Sequence, residues 1–426
     1  MTDDVRLRRG RGALGFSFFV QGVTFALLVT RIPAIQDRYG ISDGLLPVFL
    51  AAVPVLAGVA SVGTEHLVKR VAPSVVLRWA QPLVLLSLLG VGAGERLWHV
   101  AVALGAFGLS VGALDASMNM LGVSLQRAYG RSIMLGFHAA YSLGGILGAS
   151  AAWYGAHAHL GLFVSYLPAV AVLLPLVLLG SRRYVDRGDR TGPVGVGVGG
   201  TAKETEKETE KETEKGLGVG GFRLLLPLCL VMACAYIGDS TVANWSAKYL
   251  QDVLGSSEQT ATVPYNVYMV TTLVGRAVGD LGVRRFGAVA VVRAGTLVAA
   301  CGFAVVAAAP GVGVGMLGFT LLGIGLCVIV PQTFAAAGRL FPGASDTAVA
   351  RLNIFNYVGF LIGSPLVGAI GDAWSYRGAM LVPMVLVLIT LFHARSFGPR
   401  EARYGVDHER RAGDRAVDVG RGGNGV

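Results

Sequence analysis

The sequence predicts an all-α membrane protein with twelve transmembrane helices, arranged as two pseudo-symmetric six-helix bundles. Three observations lead to this fold class: an apolar composition, twelve apolar segments of spanning length, and polar residues that recur between the two halves. The chain has 426 residues, of which 53% are hydrophobic and 15% are charged. A soluble domain has roughly 25% charged residues, so the composition alone indicates a membrane protein.

Apolar segments long enough to cross a bilayer recur along the whole chain. About 20 apolar residues span a membrane as a helix. Six segments lie in the first half, at 12–32, 44–63, 74–94, 98–124, 132–156 and 160–180. Six lie in the second half, at 223–247, 260–282, 287–309, 311–337, 347–371 and 376–396. The first lacks a small-residue cleavage site, so we interpret it as a membrane helix and not as a signal peptide.

These segments divide the chain into five regions. We predict a tail at 1–11, a six-helix bundle at 12–180, a linker at 181–221, a second bundle at 222–397 and a tail at 398–426. The linker contains a repeated charged run from Lys203 to Lys215, which is typical of a solvated segment without a packed core. The final tail is charged and rich in glycine, so we expect it to be disordered.

Basic residues mark alternate loops and predict the orientation in the membrane. They precede the first span and occupy the even-numbered loops and the linker, as Arg6, Arg8, Arg9, Arg11, Lys69, Arg70, Arg127, Arg131, Arg182, Arg183, Arg284, Arg285 and Arg339. Basic loops favour the cytoplasmic side. We therefore expect both termini in the cytoplasm and the spans in the cell (inner) membrane. This bias accounts for the net charge of +10, and no nucleic acid is predicted as a partner.

A constant offset relates the two halves. Adding 215 to a residue number places Glu65, Lys69 and Arg70 on Asp280, Arg284 and Arg285. The same shift places His138 on Asn353, Tyr141 on Asn356, Gly144 on Gly359 and Gly148 on Gly363. Apolar helices align with one another by chance, but matched charges do not. Internal repeats with a binding site between them are common in secondary transporters.

Two acids lie away from the ends of the predicted spans, Asp115 in the fourth and Asp239 in the seventh. A charge at this depth costs about 2.5–3.5 kcal/mol on insertion scales, so it is expected to face the protein interior or a wet cavity. Asn119 shares a helix face with Asp115, and His138 shares one with Tyr141. We interpret these as two faces of one cavity. Hydrogen bonding between packed helices is the alternative explanation for Asn119 and His138.

The stretch from Gly275 to Gly287 resembles the loop motif between helices 8 and 9 of the major facilitator superfamily. Three further stretches, 30–35, 113–119 and 137–145, resemble the fucose-permease-like group and its uncharacterised inner-membrane relatives. Fucose permease has an acid on helix 4 that matches Asp115, and amide positions on helix 5 that match His138 and Tyr141. Its second essential acid, on helix 1, has no counterpart here, because no acid occurs between Arg11 and Arg31.

The resemblance implies a secondary active transporter of a small polar solute, and we predict proton-coupled uptake of a sugar-like molecule by alternating access. The proton-coupling residues would be Asp115 and Asp239. The substrate-binding residues would be Asn119, His138, Tyr141, Asn244, Trp245, Asn353 and Asn356. The gating residues would be Glu65, Lys69, Arg70, Asp280, Arg284 and Arg285. For Trp245, anchoring at the membrane interface is the alternative, since Trp is enriched there.

Other functions remain open at the level of the sequence. A drug or metabolite exporter of the same fold is the main alternative, and a membrane sensor or scaffold is another. An enzyme is not predicted, because no nucleophile elbow or phosphate loop occurs. The four cysteines lie in apolar segments without metal-ligand spacing, so no disulfide, metal or cofactor is expected. The expected partners are the small-molecule substrate, protons and the lipid bilayer, with the protein as a monomer.

Overall fold

The computed structural model describes residues 2–42, 45–186, 219–257, 260 and 263–398. The first half contains α1 (Thr2–Val29), α2 (Ile32–Tyr39), α3 (Leu46–Leu67), α4 (Pro73–Ala93), α5 (Leu97–Tyr129), α6 (Met134–His157) and α7 (Leu162–Gly180). The second half contains α8 (Val219–Lys248), α9 (Val263–Phe286), α10 (Ala288–Ala308), α11 (Val312–Leu326), α12 (Ile329–Leu340), α13 (Ser345–Ala373), α14 (Tyr376–Ala379) and α15 (Leu381–His393). We call these the N-terminal and C-terminal halves.

All twelve predicted segments are helical, with α11 and α12 together forming the tenth and α14 and α15 the twelfth. Within the described residues, nine helical stretches are long and apolar enough to cross a membrane by length and composition. The remaining three are α3, α6 and α9. Helix α9 carries Arg276, Asp280 and Arg284, and these charged residues lower its mean hydropathy. The helix lies at the contact between the halves.

The start of α1 differs from the predicted boundary, and most of the predicted linker and final tail lie outside the described residues. Helix α1 begins at Thr2, so the arginines predicted to form a tail at 1–11 are the first turns of the helix. No proline interrupts this stretch, and the helix can therefore continue beyond the apolar run. The predicted charged run Lys203–Lys215 and nearly all of the tail at 398–426 lie outside the described residues.

Close helix pairs bear out the internal repeat. In the N-terminal half α1 packs along α6, and in the C-terminal half α8 packs along α13. Four glycines on α6 and α13 lie in these contacts: Gly144, Gly148, Gly359 and Gly363. A Cβ atom at Gly144 would collide with the carbonyl oxygen of Phe19, and one at Gly359 with that of Ala233. Small residues allow backbones in a membrane to approach in this way.

The two halves meet through helices related by the repeat. Helix α3 packs on α13, α6 packs on α9, and α5 contacts both α12 and α13. Gly338 of α12 lies directly against Val123 of α5, where a Cβ atom would not fit. These contacts bring the polar residues of α5, α6, α9 and α13 to the plane between the halves.

Candidate transport site between the two halves

Asp115 lies at the contact between the halves and accepts hydrogen bonds from both. From its own half it accepts from Gln21 Nε2 at 3.2 Å and from Asn119 Nδ2 at 3.4 Å. From the C-terminal half it accepts from Asn356 Nδ2 at 3.2 Å and from Tyr357 Oη at 3.0 Å. All four donors are neutral groups. The acid is therefore held by hydrogen bonds alone at a position that joins the two halves.

A second polar bridge between the halves joins α3 to α13. Asn353 Nδ2 donates to Ser61 Oγ of α3 at 3.1 Å, and Asn356 Nδ2 also reaches Asn353 Oδ1 at 3.3 Å. Asn353 and Asn356 are three residues apart and share one face of α13. Both amides are buried. The pair of amides thus connects α3, α5 and α13 in one network.

Asp239 occupies a separate position on α8. Its carboxylate accepts a hydrogen bond from Tyr268 Oη of α9. Tyr268 is among the most deeply buried tyrosines, whereas the neighbouring Tyr265 is 38% exposed although its ring stacks on Tyr268 at 6.4 Å. The hydrogen bond therefore joins α8 to α9 within the C-terminal half.

Arg276 supplies a buried cation near Asp239. It is 8% exposed, and its Nη1 donates to Ser142 Oγ of the N-terminal half at 2.8 Å. Its charge lies within electrostatic reach of Asp239 and His138. Tyr141 is within reach of Arg276 and of both acids. Asp115, Asp239, Arg276 and Tyr141 therefore belong to one electrostatic environment.

A group of contacts closes one end of the molecule, which we call the basic end because the arginine-rich loops lie there. Asp280 of α9 accepts from Ser132 Oγ at 2.5 Å and from the backbone N–H of Gly136 at 2.9 Å. Gly136 lies in the first turn of α6, where free N–H groups and the helix dipole favour an anion. Arg284 donates from Nε and Nη2 to the Ser132 carbonyl at 3.1 and 2.6 Å.

The repeat-related position carries an ion pair between the halves. Glu65 of α3 accepts from Arg351 Nε of α13 at 2.9 Å. Adding 215 to 65 gives 280, and adding it to 136 gives 351, so the two acids hold equivalent places on the opposite half. Arg127 of α5 adds a third link, donating to the Pro342 carbonyl at 3.0 Å. Together the contacts of Asp280, Arg284, Glu65 and Arg127 form what we call the clasp.

Comparisons with known proteins agree with this geometry. The sequence signature of the Major Facilitator Superfamily matches residues 228–418. An uncharacterised MFS-type transporter of Yersinia pestis is 28% identical over 386 residues, covering 89% of this chain and 94% of the relative. The chain is therefore similar to transporters of the major facilitator superfamily, by signature in its second half and by sequence over most of its length. The prediction that it is not an enzyme agrees with this similarity.

Solved structures of the superfamily share the fold. FucP in the outward conformation matches with a TM-score of 0.73 at 16% identity, covering 91% of this chain and 98% of FucP. The human organic anion transporter MFSD10 matches with a TM-score of 0.74 at 15% identity, covering 91% of this chain and 99% of MFSD10. The predicted fold class, two six-helix bundles of the major facilitator type, is confirmed.

The predicted substrate residues separate into two groups, those near Asp115 and those whose contacts lie away from it. Asn119, Tyr141, Asn353 and Asn356 lie with Asp115 or within its electrostatic environment. His138 is packed between Phe18, with ring centroids 5.3 Å apart, and Phe334 of the other half at 6.3 Å. Its Nε2 is buried without a hydrogen-bond partner in the described part of the chain. His138 therefore resembles an aromatic packing residue of the interface.

Asn244 and Trp245 lie apart from the central network. Asn244 is exposed and donates to the Ser240 carbonyl of its own helix at 2.9 Å. Trp245 Nε1 donates to the Ser364 carbonyl at 3.0 Å, and its ring packs on Tyr376 at 5.4 Å. These contacts tie α8 to α13 and α14 within one half. Substrate binding and anchoring at the membrane interface both stay predictions for Trp245.

The predicted gating residues also differ in what they contact. Glu65, Asp280 and Arg284 take part in the clasp. Lys69 and Arg70 are exposed. Arg285 lies over the ring of Phe286, 5.3 Å from its centroid.

Several site residues were not recognised from the sequence. Arg276 is the most important of these, because a cation inside a predicted span indicates a functional residue. In the sequence it stands out only as part of the loop motif. Gln21, Tyr268 and Tyr357 were missed for another reason: amides and tyrosines are frequent in membrane helices. Only their contacts with Asp115 and Asp239 distinguish them.

Proposed function

We propose that this transporter carries a small polar, sugar-like solute together with protons by alternating access, with Asp115 as the proton-coupling residue. The observation that supports this most is the bonding of Asp115 to neutral donors from both halves. An ionised carboxylate only accepts hydrogen bonds, whereas a protonated carboxyl also donates one. Proton binding therefore changes how firmly Asn356 and Tyr357 of the C-terminal half are held.

This arrangement links protonation to movement of the halves. Loss of water around a carboxyl favours its neutral form, and wetting favours its ionised form. A residue whose two protonation states bind the other half differently shifts the equilibrium between conformations. In the proposed cycle, Asp115 exchanges its proton as the cavity opens to each side in turn.

The solute would bind between Asp115 and the group formed by Asp239, Tyr268 and Arg276. Tyrosine rings and hydroxyls suit a neutral solute with several hydroxyl groups, because the ring packs against one face and polar atoms bind the edge. Asp239 would accept hydrogen bonds from solute hydroxyls or act as a second proton site. The asparagines of α13 would supply further donors.

The test measures solute-driven proton movement in proteoliposomes that contain a trapped pH indicator. A panel of sugars and polyols is added outside, and internal acidification is followed. Asp115→Asn keeps the size of the side chain but cannot exchange a proton, so we expect acidification to fall to background. The matched control is Asp252→Asn, an exposed acid that pairs with Lys248 at 2.7 Å outside the site. Undiminished acidification with Asp115→Asn would exclude the proposed role.

Export of an organic anion is a second candidate. The observation that favours it is Arg276, a buried cation at the contact between the halves, and the MFSD10 structure of the same fold is that of an organic anion transporter. If the solute carries a carboxylate, Arg276→Gln should weaken its binding at least about tenfold, and Arg276→Lys should retain part of it. Solute-dependent thermal stability measures both, with exposed Arg293→Gln as control. Unchanged binding in Arg276→Gln would exclude this candidate.

The orientation and organisation remain proposals. We propose that the basic end faces the cytoplasm, that both termini lie there, and that the protein acts as a monomer. In intact cells, an impermeant maleimide should label Ser257→Cys but not Phe286→Cys in a Cys301→Ser background. The reverse pattern would contradict this orientation.

A further inference from the structure

A cavity at the basic end lies outside the transport site. It has a volume of about 320 Å³ and is lined by Arg8, Arg11, Gly12, Gly15, Tyr129, Gly136 and Phe137. These residues come from α1, α5 and α6 of the N-terminal half. The central network at Asp115 uses none of them, so the cavity is not part of the proposed solute path.

The polar groups around the cavity are those that bind a phosphate. Two arginines contribute guanidinium groups, which bind phosphate oxygens with charge-assisted hydrogen bonds. Arg11 and Arg131 lie over the ring of Tyr129, at 5.8 and 5.6 Å from its centroid. The Tyr129 hydroxyl is buried and has no hydrogen-bond partner among the residues that the structure describes. A buried hydroxyl without a partner is costly, and a ligand oxygen would satisfy it.

We propose that this cavity binds a phosphate group, carried by the headgroup of an anionic phospholipid or present as the free ion. Its position favours the headgroup. Arg8 and Arg11 lie in the first turns of α1, just before the apolar run that begins near residue 12. Basic pockets between membrane helices at this depth bind lipid headgroups. The glycines at 12 and 15 leave the wall of the cavity without side chains.

The site lies beside the clasp, which gives it a consequence for conformation. A methyl group placed on Gly136 would lie 3.5 Å from Asp280 Oδ2 and 3.8 Å from Arg11 Nη2. Arg11 of the N-terminal half is thus near Asp280, the clasp acid of the C-terminal half. The Arg11 guanidinium attracts the Asp280 carboxylate. An anion bound to Arg11 neutralises this attraction and itself repels Asp280, because like charges repel at short range. Binding of the phosphate group therefore weakens the clasp and favours opening of the basic end.

The binding experiment uses the full-length protein in detergent. Thermal stability is titrated with dioctanoyl phosphatidylglycerol, dioctanoyl phosphatidylcholine and inorganic phosphate, in separate arms. We expect phosphatidylglycerol to bind, and Arg8→Gln/Arg11→Gln to weaken its binding at least about tenfold. The matched control is Arg182→Gln/Arg183→Gln, which removes two exposed arginines that do not line the cavity. Tyr129→Phe removes only the hydroxyl, keeps the packing, and should weaken binding about three- to tenfold.

The outcomes separate the sources and decide the proposal. Binding of phosphatidylglycerol without binding of inorganic phosphate identifies the headgroup, and equal arginine-dependent binding of both identifies the free ion. Equal stabilisation by phosphatidylcholine, or equal binding in the double variant and its control, would overturn the proposal. Spin labels at His66→Cys and Phe286→Cys report the width of the basic end. Phosphatidylglycerol should widen it in the parent protein and not in the double variant; no widening would overturn the conformational part.

Discussion

Asp115 shows what a single residue contributes to this fold. An acid in a membrane helix is costly unless its oxygens are satisfied, and four neutral donors satisfy Asp115 here. Its position inside a span was evident from the sequence, because acids are scarce there. Its partners were not, since Gln21, Asn356 and Tyr357 come from two other helices. The chemical role of the residue depends on that arrangement.

Tyr357 offers a test at this scale. Tyr357→Phe removes one donor to the Asp115 carboxylate and leaves the ring in place, so we expect the free energy of unfolding to fall by about 1 kcal/mol. Thermal or denaturant unfolding in detergent measures the change. Tyr154→Phe is the control, because Tyr154 is 62% exposed. An equal change in the two variants would show that the hydrogen bond contributes nothing to stability.

Helix pairs determine how closely each half packs. The pairs α1–α6 and α8–α13 each place glycine against the backbone of the neighbouring helix. The repeat in the sequence aligned these glycines, and their spacing of four residues puts them on one helix face. Which helix they contact was not readable from spacing alone, because any helix in the bundle could occupy that face.

Adjacent glycines on α6 provide a matched pair for the element scale. A Cβ atom at Gly144 would collide with the Phe19 carbonyl, whereas one at Gly145 would meet nothing within 4 Å. We expect Gly144→Ala to destabilise the protein by about 1–3 kcal/mol, because overpacking separates α1 from α6. Gly145→Ala should be neutral or slightly stabilising. Unfolding measurements on both variants check this, and equal stabilities would contradict the packing explanation.

At the scale of the whole molecule, the clasp holds the basic ends of the two halves together. Asp280 binds the first turn of α6, and Glu65 binds Arg351 at the equivalent place. A set of polar contacts across an interface can be made in one conformation and broken in another. We therefore propose that the clasp sets how readily the basic end opens.

Asp280→Asn should favour the open basic end. The amide is neutral, so it loses the attraction to the α6 N-terminus, which is typically about 0.3–1 kcal/mol for a charge at a helix end. Spin labels at His66→Cys and Phe286→Cys should then show a larger fraction of long distances. Asp252→Asn, at an exposed acid away from the clasp, controls for loss of charge. An unchanged distance distribution in Asp280→Asn would show that the clasp does not hold this end closed.

The amino-acid sequence was sufficient to predict the helical membrane fold, because burying backbone polar groups in lipid forces apolar runs of this length into helices. It also determined the repeat and the two costly acids, since both appear as residue types at fixed positions. Only the tertiary structure decided which helices meet. It placed Asp115 at the contact between the halves, brought Arg276 near Asp239, and packed His138 and Trp245 among aromatic rings. Such choices depend on helix rotation and long-range packing, which the periodicity of one segment does not specify.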